Sequence, residues 1–419
     1  MANSGIRKPL DAATDRNSKD RMMNDAHRWL HEHPELGSGP ISIEPYIDPD
    51  WYEREREKIF KKVWLCVGRV DEIPNKGDYK VKRLAAADTS VILMRGKDDV
   101  VRTHHNVCAH RGNTVVTETG PETFGRSKAA IVTCRFHGWV YGADGALKHV
   151  PSEERFYQCF DKQRNGLTPI HTDVWEGFIF VNLAEKPDNS LADFLGDYAA
   201  HFAGFPFAEL NYQFTYHTEL ECNWKVAHDA FAEAYHVDTI HAGSFPNTFS
   251  TGLQNVKLMG PHRTCAVCLT LGAKPTPVAG IANNIAGASL VTQRAETMLP
   301  PAINPDKRDD FAFELSVLFP NTLIHVSEGI WFTHQFWPIA HNRTLWEGRY
   351  YVRPPKTNAE RWAIEHAMTL QRNAWLEDTA TMEDTQRAMQ SRAKLVQNLQ
   401  DDEILIRHSA AVVDQYVNA

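Results

Sequence analysis

The sequence contains little cysteine, no long apolar run and no excess of basic residues, and each absence excludes a class of protein. Seven cysteines in 419 residues are an odd and low count, which favours a reducing compartment over a disulfide scaffold. No apolar run approaches the roughly 18 residues of a membrane span. The 45 basic and 53 acidic residues give a formal net charge of −8, so no general attraction to nucleic acid or to an anionic membrane is expected.

The N-terminal residues also lack the apolar core of a secretory signal, and we expect a cytoplasmic protein. With 42% hydrophobic and 23% charged residues, the composition is that of an ordinary globular protein. At roughly 150 residues per domain, the length predicts two or three domains. Residues 1–45 are polar with Pro and Gly, which indicates an arm with one short helix near Ser18–His33.

Local patterns predict an all-β module followed by a mixed region. A helix is expected over Asp50–Trp64, and short β-rich runs follow up to about residue 184, with a boundary near Pro187 and Ser190. The β-rich runs include Asp88–Arg95, Ala130–Cys134 and Gly177–Leu183.

In the mixed region we expect a helix over Asn223–Tyr235 and irregular loops over Met259–Ala312. Strands over Glu314–Arg353 are broken at Pro320–Asn321, Glu328–Gly329 and His341–Asn342. A long helix is predicted over Asn358–Leu399, with Asn358 as its N-cap.

Two loops each offer one thiolate and one imidazole: Cys108 with His110 in CAHRGN, and Cys134 with His137 in CRFHGW. Two cysteines and two histidines can bind a structural zinc ion. Zinc fingers usually pair Cys with Cys and His with His, whereas here each loop gives one of each. The pattern therefore favours a Rieske [2Fe–2S] cluster, with both cysteines on one iron and both histidines on the other.

A second group of metal-ligand residues follows. His236 and His241 are five residues apart, which puts them about 140° apart on an ideal helix, so they converge only if the helix ends or distorts between them. Further on, the acidic segment WLEDTATMEDTQ contains Glu377, Asp378 and Asp384. Alone, this pattern is weak evidence for a metal site.

The motifs C-x-H-R-G and C-x-x-H-G-W resemble the Rieske domain of ring-hydroxylating, Rieske-type non-haem iron oxygenases. The resemblance implies that His236 and His241 bind a mononuclear iron and, through Met382-Glu383, that Asp378 is the third ligand; Glu377 and Asp384 stay open as alternatives. Two imidazoles and one carboxylate on one face of Fe(II) leave positions open for O₂. One departure is the longer spacing of 23 residues between the two cluster motifs, and we expect the extra chain, Glu118–Ser127, to be a surface loop.

The resemblance also gives Glu233 a catalytic role. Its family counterpart is a carboxylate, more often Asp, that bridges a Rieske histidine and an iron-bound histidine across a subunit interface. Glu233 lies three residues before His236, on the same face of the expected helix. Asp229 is a second candidate with a different offset, and Asn223 either approaches the iron or caps the helix.

The family implies an α+β fold: an all-β Rieske [2Fe–2S] domain and a helix-grip (START/SRPBCC-like) catalytic domain with an antiparallel sheet and a long C-terminal helix. We accordingly divide the chain into an N-terminal arm (1–45), a Rieske domain with its preceding helix (46–185) and a catalytic mononuclear non-haem iron domain (186–419). The implied cofactors are a [2Fe–2S] cluster and a mononuclear Fe(II).

The implied function is that of the terminal oxygenase component, or α subunit. Such an enzyme uses O₂ and NAD(P)H-derived electrons, delivered by a separate reductase with or without a ferredoxin. It hydroxylates or oxidatively dealkylates an aromatic or other hydrophobic small molecule. The family also implies a homotrimer and leaves open a small β subunit. We expect Phe231, loops within Met259–Leu299 and strands near Phe319–Trp337 to line the pocket.

Two other functions stay open. Glu at position 233 also occurs in some relatives that act on quaternary amines, which favours an N-demethylating or quaternary-amine monooxygenase as a sub-alternative. The other is an electron-transfer or ligand-binding protein with an inactive catalytic domain. The intact His236, His241 and acidic candidate argue against that second alternative.

Overall fold

The structure is a computed structural model, and it describes residues 27–157, 160–270, 272, 274–286 and 299–419. The helix expected near Ser18–His33 lies only partly within these ranges: helix α1 spans Arg28–Glu32, and the rest of that prediction falls outside the described residues. Strand β1 (Ile41–Ser42) pairs with Val396–Gln397, which holds this segment against the C-terminal part of the chain.

The helix expected over Asp50–Trp64 begins at nearly the predicted residue but ends early. Helix α2 spans Glu44–Ile47, and helix α3 spans Pro49–Glu55. One π-helical turn, Arg56–Phe60, continues α3 and buries Ile59 and Phe60.

Antiparallel strands form the all-β module that the sequence predicts. They are β2 (Leu65–Arg69), β3 (Asp78–Leu84), β4 (Thr89–Arg95), β5 (Val101–His105), β6 (Glu122–Arg126), β7 (Ile131–Thr133), β8 (Val140–Gly142), β9 (Leu147–His149), β10 (Pro169–Trp175) and β11 (Phe178–Asn182). One sheet has the order β2-β11-β10-β5-β4-β3-β6, and β7, β8 and β9 form a second sheet. The three strands named from the sequence correspond to β4, β7 and β11.

The segment Glu118–Ser127, expected to be a surface loop, instead contains the edge strand β6. It pairs with β3, from Lys82 opposite Glu122 to Asp78 opposite Arg126. The Glu122 side chain is buried and lies 2.6 Å from the ammonium of Lys80. The segment lies at the surface as expected, with Thr119, Gly120, Pro121, Phe124 and Arg126 exposed. The prediction of a loop was wrong, because residues 122–126 pair with β3 and the Glu122 side chain is held in buried ion pairs.

The second large sheet has the strand order β12-β18-β17-β16-β15-β14-β13. Its strands are β12 (Tyr212–Leu220), β13 (Gln254–Met259), β14 (His262–Cys268), β15 (Phe311–Leu318), β16 (Thr322–Ser327), β17 (Ile330–Ala340) and β18 (Arg343–Val352). The breaks predicted at Pro320–Asn321, Glu328–Gly329 and His341–Asn342 are the turns between β15 and β18, which confirms them. Met259–Ala312 is more regular than expected, since it includes β14 and a helix over Pro277–Ala286; residues 271, 273 and 287–298 lie outside the described residues.

Helices flank this sheet. They are α4 (Leu191–Leu195), α5 (Asp197–His201), α6 (Trp224–Ala230), α7 (Val237–Ile240), α8 (Pro277–Ala286), α9 (Asn358–Gln390) and, after the short strand β19 (Val396–Gln397), α10 (Ile404–Asn418). Single 3₁₀ turns cover Pro34–Leu36, Val70–Glu72, Ala85–Ala87, Glu153–Arg155, Lys162–Arg164 and Asp401–Glu403.

The N-cap of the long helix α9 lies one residue before the predicted one, and the helix ends at Gln390, nine residues before the predicted end at Leu399. Its N-cap is Thr357, not Asn358, because the Thr357 hydroxyl accepts a hydrogen bond from the backbone N–H of Glu360 at 3.1 Å. The Glu360 carboxylate accepts in return from the backbone N–H of Thr357, which completes a capping box.

The helix predicted over Asn223–Tyr235 ends at Ala230. The following turns lead into α7, a single helical turn whose N-cap is His236 and whose C-cap is His241. We expected Glu233 and His236 to lie on the same face of one helix. Instead, Glu233 lies in the turn before α7 and approaches His236 from there. The two histidines lie at the two ends of this single turn, and their Nε2 atoms are 3.3 Å apart.

Buried ion pairs join the two large sheets. The ammonium of Lys82 on β3 lies 2.6 Å from Glu347 on β18 and 3.1 Å from Glu122 on β6. Arg349, also on β18, lies 2.7 Å from the other oxygen of Glu122. The predicted α+β fold, with an antiparallel sheet and a long C-terminal helix, is confirmed. None of the helices in the described ranges is long and apolar enough to cross a membrane.

Candidate active site

Three potential ligand atoms meet beside α7. The Nε2 atoms of His236 and His241 are 3.3 Å apart, and Oδ1 of Asp378, on α9, lies 3.4 Å and 3.2 Å from them. Ligand atoms on one face of an octahedral ion with bonds of about 2.1 Å are about 3 Å apart. The three atoms therefore have the spacing of a facial triad of two histidines and one carboxylate.

Asp378 supplies independent evidence that a cation belongs here. Its side chain is 2% exposed, and within the described part of the chain its Oδ1 accepts no hydrogen bond of good geometry. A buried carboxylate oxygen without a partner is unfavourable. A metal ion between the three atoms removes that penalty, so the residues present fit a bound metal.

A carboxylate stands behind each imidazole. Nδ1 of His236 donates to Glu233, and Nδ1 of His241 donates to Oε2 of Glu377 at 3.0 Å. Ser244 donates to the other oxygen of Glu377 at 2.9 Å, which holds that carboxylate in place. Because both Nδ1 atoms carry the proton, both Nε2 atoms direct lone pairs at the common point.

The charges around this point favour a cation. Burial lowers the pKa of His236, but the carboxylates of Asp378 and Glu233 outweigh it and raise the pKa to about 10 when no ion is bound. For His241, burial is again outweighed, here by Asp378 and Glu377, and the pKa is raised. The negative charge that holds protons on the imidazoles is the same charge that attracts a divalent metal.

The other predicted residues of this region have different partners. Asn223 caps α6 through the backbone N–H of Lys225 and donates to the His341 carbonyl, and it is not among the described residues that line the cavity. Asp229 accepts a hydrogen bond from the hydroxyl of Tyr46 at 2.7 Å, away from His236. The structure therefore does not bring Asn223 or Asp229 to the metal point.

The two remaining carboxylates of the acidic segment are also placed differently from Asp378. Glu377 lies on the Nδ1 side of His241, opposite the Nε2 atom that faces the metal point. Asp384 is exposed and pairs with Arg387. Neither carboxylate is therefore positioned to replace Asp378.

The other four candidate ligands meet at the tip of the all-β module. Cys108 and Cys134 are buried, whereas Nδ1 of His110 and Nδ1 of His137 are 3.1 Å apart at the surface. The two loops fold alike, since the N–H groups of Gly112 and Gly138 donate at 3.0 Å to the carbonyls of Cys108 and Cys134.

The glycines and one tyrosine explain this loop geometry. Gly112 and Gly138 have φ values of 75° and 77°, a conformation that favours glycine. The hydroxyl of Tyr141 lies 3.1 Å from Sγ of Cys108. With sulfur ligands on the inner side and imidazole nitrogens on the outer side, the residues fit a cluster in which one iron is bound by sulfur and the other by nitrogen.

A cavity opens next to the three-residue metal point. It contains about 560 Å³ of space free of atoms, part of it open to solvent. Its walls are mainly aromatic, formed by Phe231, Phe245, Phe249, Phe313, Phe332 and Trp375. Phe231 and the strand residue Phe332 were expected from the sequence.

Sequence reasoning missed the polar side chains of this cavity that take no part in the metal site: Gln371 on α9 and two histidines, His325 on β16 and His334 on β17. Both histidines belong to strands that the sequence predicts. Their presence among aromatic residues was the available signal, because a histidine in a buried strand requires hydrogen-bond partners.

Two families match the sequence. Residues 207–419 match the family described as "Ring hydroxylating alpha subunit (catalytic domain)", and residues 63–165 match the "Rieske [2Fe-2S] domain". The Carnitine monooxygenase oxygenase subunit of Acinetobacter pittii (strain PHEA-2) is 30% identical over 200 residues, 47% of this chain and 51% of the relative. The 2-aminobenzenesulfonate 2,3-dioxygenase subunit alpha of Alcaligenes sp is 35% identical over 194 residues, 46% of this chain and 47% of the relative. The chain thus spans about half the length of the curated relatives it matches.

The fold is shared with solved structures. Naphthalene 1,2-dioxygenase from Rhodococcus sp. bound to indole superimposes with a TM-score of 0.74 and 20% identity, covering 95% of this chain and 98% of the other. The predicted cofactors, a [2Fe–2S] cluster and a mononuclear iron, are those of the two matched domain families. Since the catalytic-domain match covers half of the sequence and the Rieske match precedes it, the chain belongs to the ring-hydroxylating alpha subunits of the Rieske oxygenases.

Proposed function

We propose that this protein is the terminal oxygenase of a Rieske-type system, which uses O₂ and NAD(P)H-derived electrons to oxygenate an aromatic or other apolar small molecule. One observation carries the proposal: His236, His241 and Asp378 converge within 3.4 Å at the edge of an aromatic cavity. An electron carrier has no need of a metal point beside an aromatic cavity.

We assign the mononuclear iron to His236, His241 and Asp378. The [2Fe–2S] cluster is assigned to Cys108, Cys134, His110 and His137. When bound, the cluster supplies single electrons, and the iron supplies the positions at which O₂ is reduced.

The chain's own residues prepare this chemistry. Glu233 and Glu377 hold the protons on Nδ1 of the two iron-site histidines and so keep both Nε2 lone pairs available. The aromatic walls exclude water and hold an apolar substrate next to the metal point. Glu233 has the further role of linking His236 to a Rieske histidine of a neighbouring subunit.

We also propose that electrons cross between subunits of a homotrimer. The ring contacts of His110 and His137 are with Trp139, Phe156 and Phe136, all within the Rieske domain. The pair is exposed, as an electron-donating surface must be. A separate reductase, with or without a ferredoxin, delivers the electrons, and we place the system in the cytoplasm, where NAD(P)H is available.

A quaternary-amine monooxygenase is the second candidate. The identity to a relative named Carnitine monooxygenase oxygenase subunit favours it, and aromatic rings can bind a quaternary ammonium ion. The carboxylates in the described cavity wall, Glu233 and Asp378, already pair with histidines. Neither is therefore available to pair with a cationic substrate, which favours an uncharged one.

The test uses the purified holoenzyme. We expect iron in excess of acid-labile sulfide, since a pure electron carrier holds the two in equal amounts. A panel of aromatic compounds and quaternary amines, supplied with ¹⁸O₂, NADH and a reductase, should give a labelled product from an aromatic compound. Iron equal to sulfide, with no labelled product from any compound, would overturn the oxygenase assignment, and a zinc-only protein would overturn both metal assignments.

A further inference from the structure

Two buried histidines of the cavity take no part in the metal site. His325 on β16 is 3% exposed and His334 on β17 is fully buried, and both line the cavity that also contains Asp378. In the described residues, both ring nitrogens of His325 and Nε2 of His334 are buried without a hydrogen-bond partner. Three unpaired nitrogens in one cavity wall call for an explanation, because buried polar groups are nearly always paired.

The tautomer of His334 follows from its neighbour. The indole Nε1 of Trp346 donates to Nδ1 of His334 at 3.1 Å. An indole nitrogen is a donor only, so Nδ1 of His334 is the acceptor and the ring proton is on Nε2. The His334 ring, which lines the cavity, therefore carries an unpaired N–H donor.

The surrounding residues keep this donor in position. Gly348 lies opposite His334 on β18, and a Cβ atom there would lie 2.8 Å from Cζ2 of Trp346 and 3.0 Å from Cζ3 of Trp375. The absence of a side chain at Gly348 thus leaves room for the indole that fixes the His334 tautomer.

Both histidines are neutral. Burial lowers the pKa of His325 to about 3 and lowers the pKa of His334 well below its ordinary value. His325 stacks on Phe332, with ring centroids 4.6 Å apart, and meets His334 edge to face at 5.3 Å. The pair therefore adds hydrogen-bonding capacity to an aromatic wall without adding charge.

We propose that His334 and His325 recognise an oxygen atom on the substrate, and that the substrate is an uncharged aromatic compound with one hydrogen-bond-accepting oxygen, such as a ring ketone. Nε2–H of His334 donates to that oxygen, and His325 supplies a second donor beside it. The described cavity wall contains no Lys or Arg, so a buried carboxylate or sulfonate lacks a cationic partner there. This inference rests on the proposed function, because it names the substrate class of the same cavity.

The test compares two ligands of nearly the same shape, 1-indanone and indane, which differ by one carbonyl oxygen. Binding to the anaerobic, iron- and cluster-loaded protein is measured by titration calorimetry, without turnover. We expect 1-indanone to bind about tenfold more tightly than indane, since indane leaves the His334 donor unpaired.

Two variants and one control locate the effect. H334F removes the donor, and W346F is added because the indole N–H of Trp346 would otherwise lose its acceptor. In H334F/W346F we expect the ratio of the two dissociation constants to fall to about one. H334Q keeps an N–H donor and should retain part of the preference. W346F alone leaves the His334 ring in the cavity and should retain most of it.

Equal binding of the two ligands by the wild-type protein, or an unchanged preference for 1-indanone in H334F/W346F, would overturn the inference. Failure of the proposed function looks different: the binding preference is then normal, but no compound yields a labelled product.

Discussion

At the scale of single residues, the candidate iron site depends on carboxylates in two layers. Asp378 faces the Nε2 atoms of the histidines, while Glu233 and Glu377 hold their Nδ1 protons. The sequence predicted His236, His241 and Asp378 as one group, and the structure brings them together. The sequence did not predict that Glu377 hydrogen-bonds to His241. Adjacent residues on a helix point about 100° apart, and spacing alone does not show which of Glu377 and Asp378 faces the metal.

The first prediction concerns Asp378. D378A removes one of three proposed ligands, so the purified variant should lose the mononuclear iron and its oxygenase activity. Its iron content should then equal its acid-labile sulfide. The visible absorbance of the cluster should not change. D384A is the control, because Asp384 is exposed and pairs only with Arg387. Retention of the excess iron in D378A would show that another residue is the ligand.

The second prediction concerns Glu377. E377Q keeps a hydrogen-bond acceptor of the same size behind His241 but removes the charge that favours a metal-bound imidazole. Such changes typically weaken metal affinity by about 10- to 100-fold. Competition between the apo-protein and a chelator for Fe(II) measures the loss, with D384N as the matched loss of charge on the same helix. An unchanged affinity for Fe(II) in E377Q would show that Glu377 does not support His241 as a metal ligand.

At the scale of secondary-structure elements, turns were easier to predict than helix ends. The strands β15 to β18 follow from their intervening turn residues, which local chemistry determines. The end of α6 at Ala230 was missed, because nothing in the local sequence marks it. Strand β6 was missed because Glu122 meets Lys82 only when β6 pairs with β3, and meets Arg349 only when the two domains pack together.

These buried charges give a third prediction. E347Q removes a fully buried carboxylate that pairs with Lys82 at 2.6 Å, and leaves that ammonium short of a partner. Loss of one partner of a buried pair lowers the free energy of unfolding by about 3–5 kcal/mol. R361Q breaks the exposed Arg361–Glu365 pair instead and should have a much smaller effect. Urea unfolding measures both, and equal effects would contradict the role given to the buried pair.

The same variant has a defined pH dependence. Burial acts to raise the pKa of Glu347, but Lys82 and Arg349 outweigh it and the pKa is lowered from its ordinary value of 4.5. A carboxylate whose folded-state pKa is lowered stabilises the protein above the unfolded value and loses that contribution as the pH falls through the folded value. The difference in free energy of unfolding between wild type and E347Q should therefore shrink below about pH 4.5. A constant difference down to pH 3 would contradict this assignment.

At the scale of the whole molecule, the sequence predicted the order and type of the two domains, which the matches to residues 63–165 and 207–419 bear out. The boundaries at 45/46 and 185/186 stay predictions. The packing of the domains could not be predicted, because it depends on contacts such as that of the Gln335 amide with the carbonyl of Cys66, residues far apart in the chain. The His110–His137 pair is exposed, and the proposed transfer of electrons to a neighbouring subunit starts from it.

The last prediction tests transfer between subunits by mixing two inactive variants. H110A lacks the cluster and D378A lacks the mononuclear iron, so neither homotrimer should turn over. In a mixed ring, a D378A subunit can pass electrons from its cluster to the intact iron of an adjacent H110A subunit. Random one-to-one mixing in a directional ring of three should restore about a quarter of the wild-type activity. Activity near zero would place the transfer within one chain.

The position of Glu233 gives this experiment its internal control. Glu233 bonds to His236 of its own chain, so the bridge belongs to the subunit that supplies the mononuclear iron. E233Q combined with H110A should abolish the recovery, because the link to the working iron is lost. E233Q combined with D378A should leave the recovery intact, because that subunit supplies only its cluster. Equal losses in the two combinations would mean that Glu233 acts on folding or assembly and not on electron transfer.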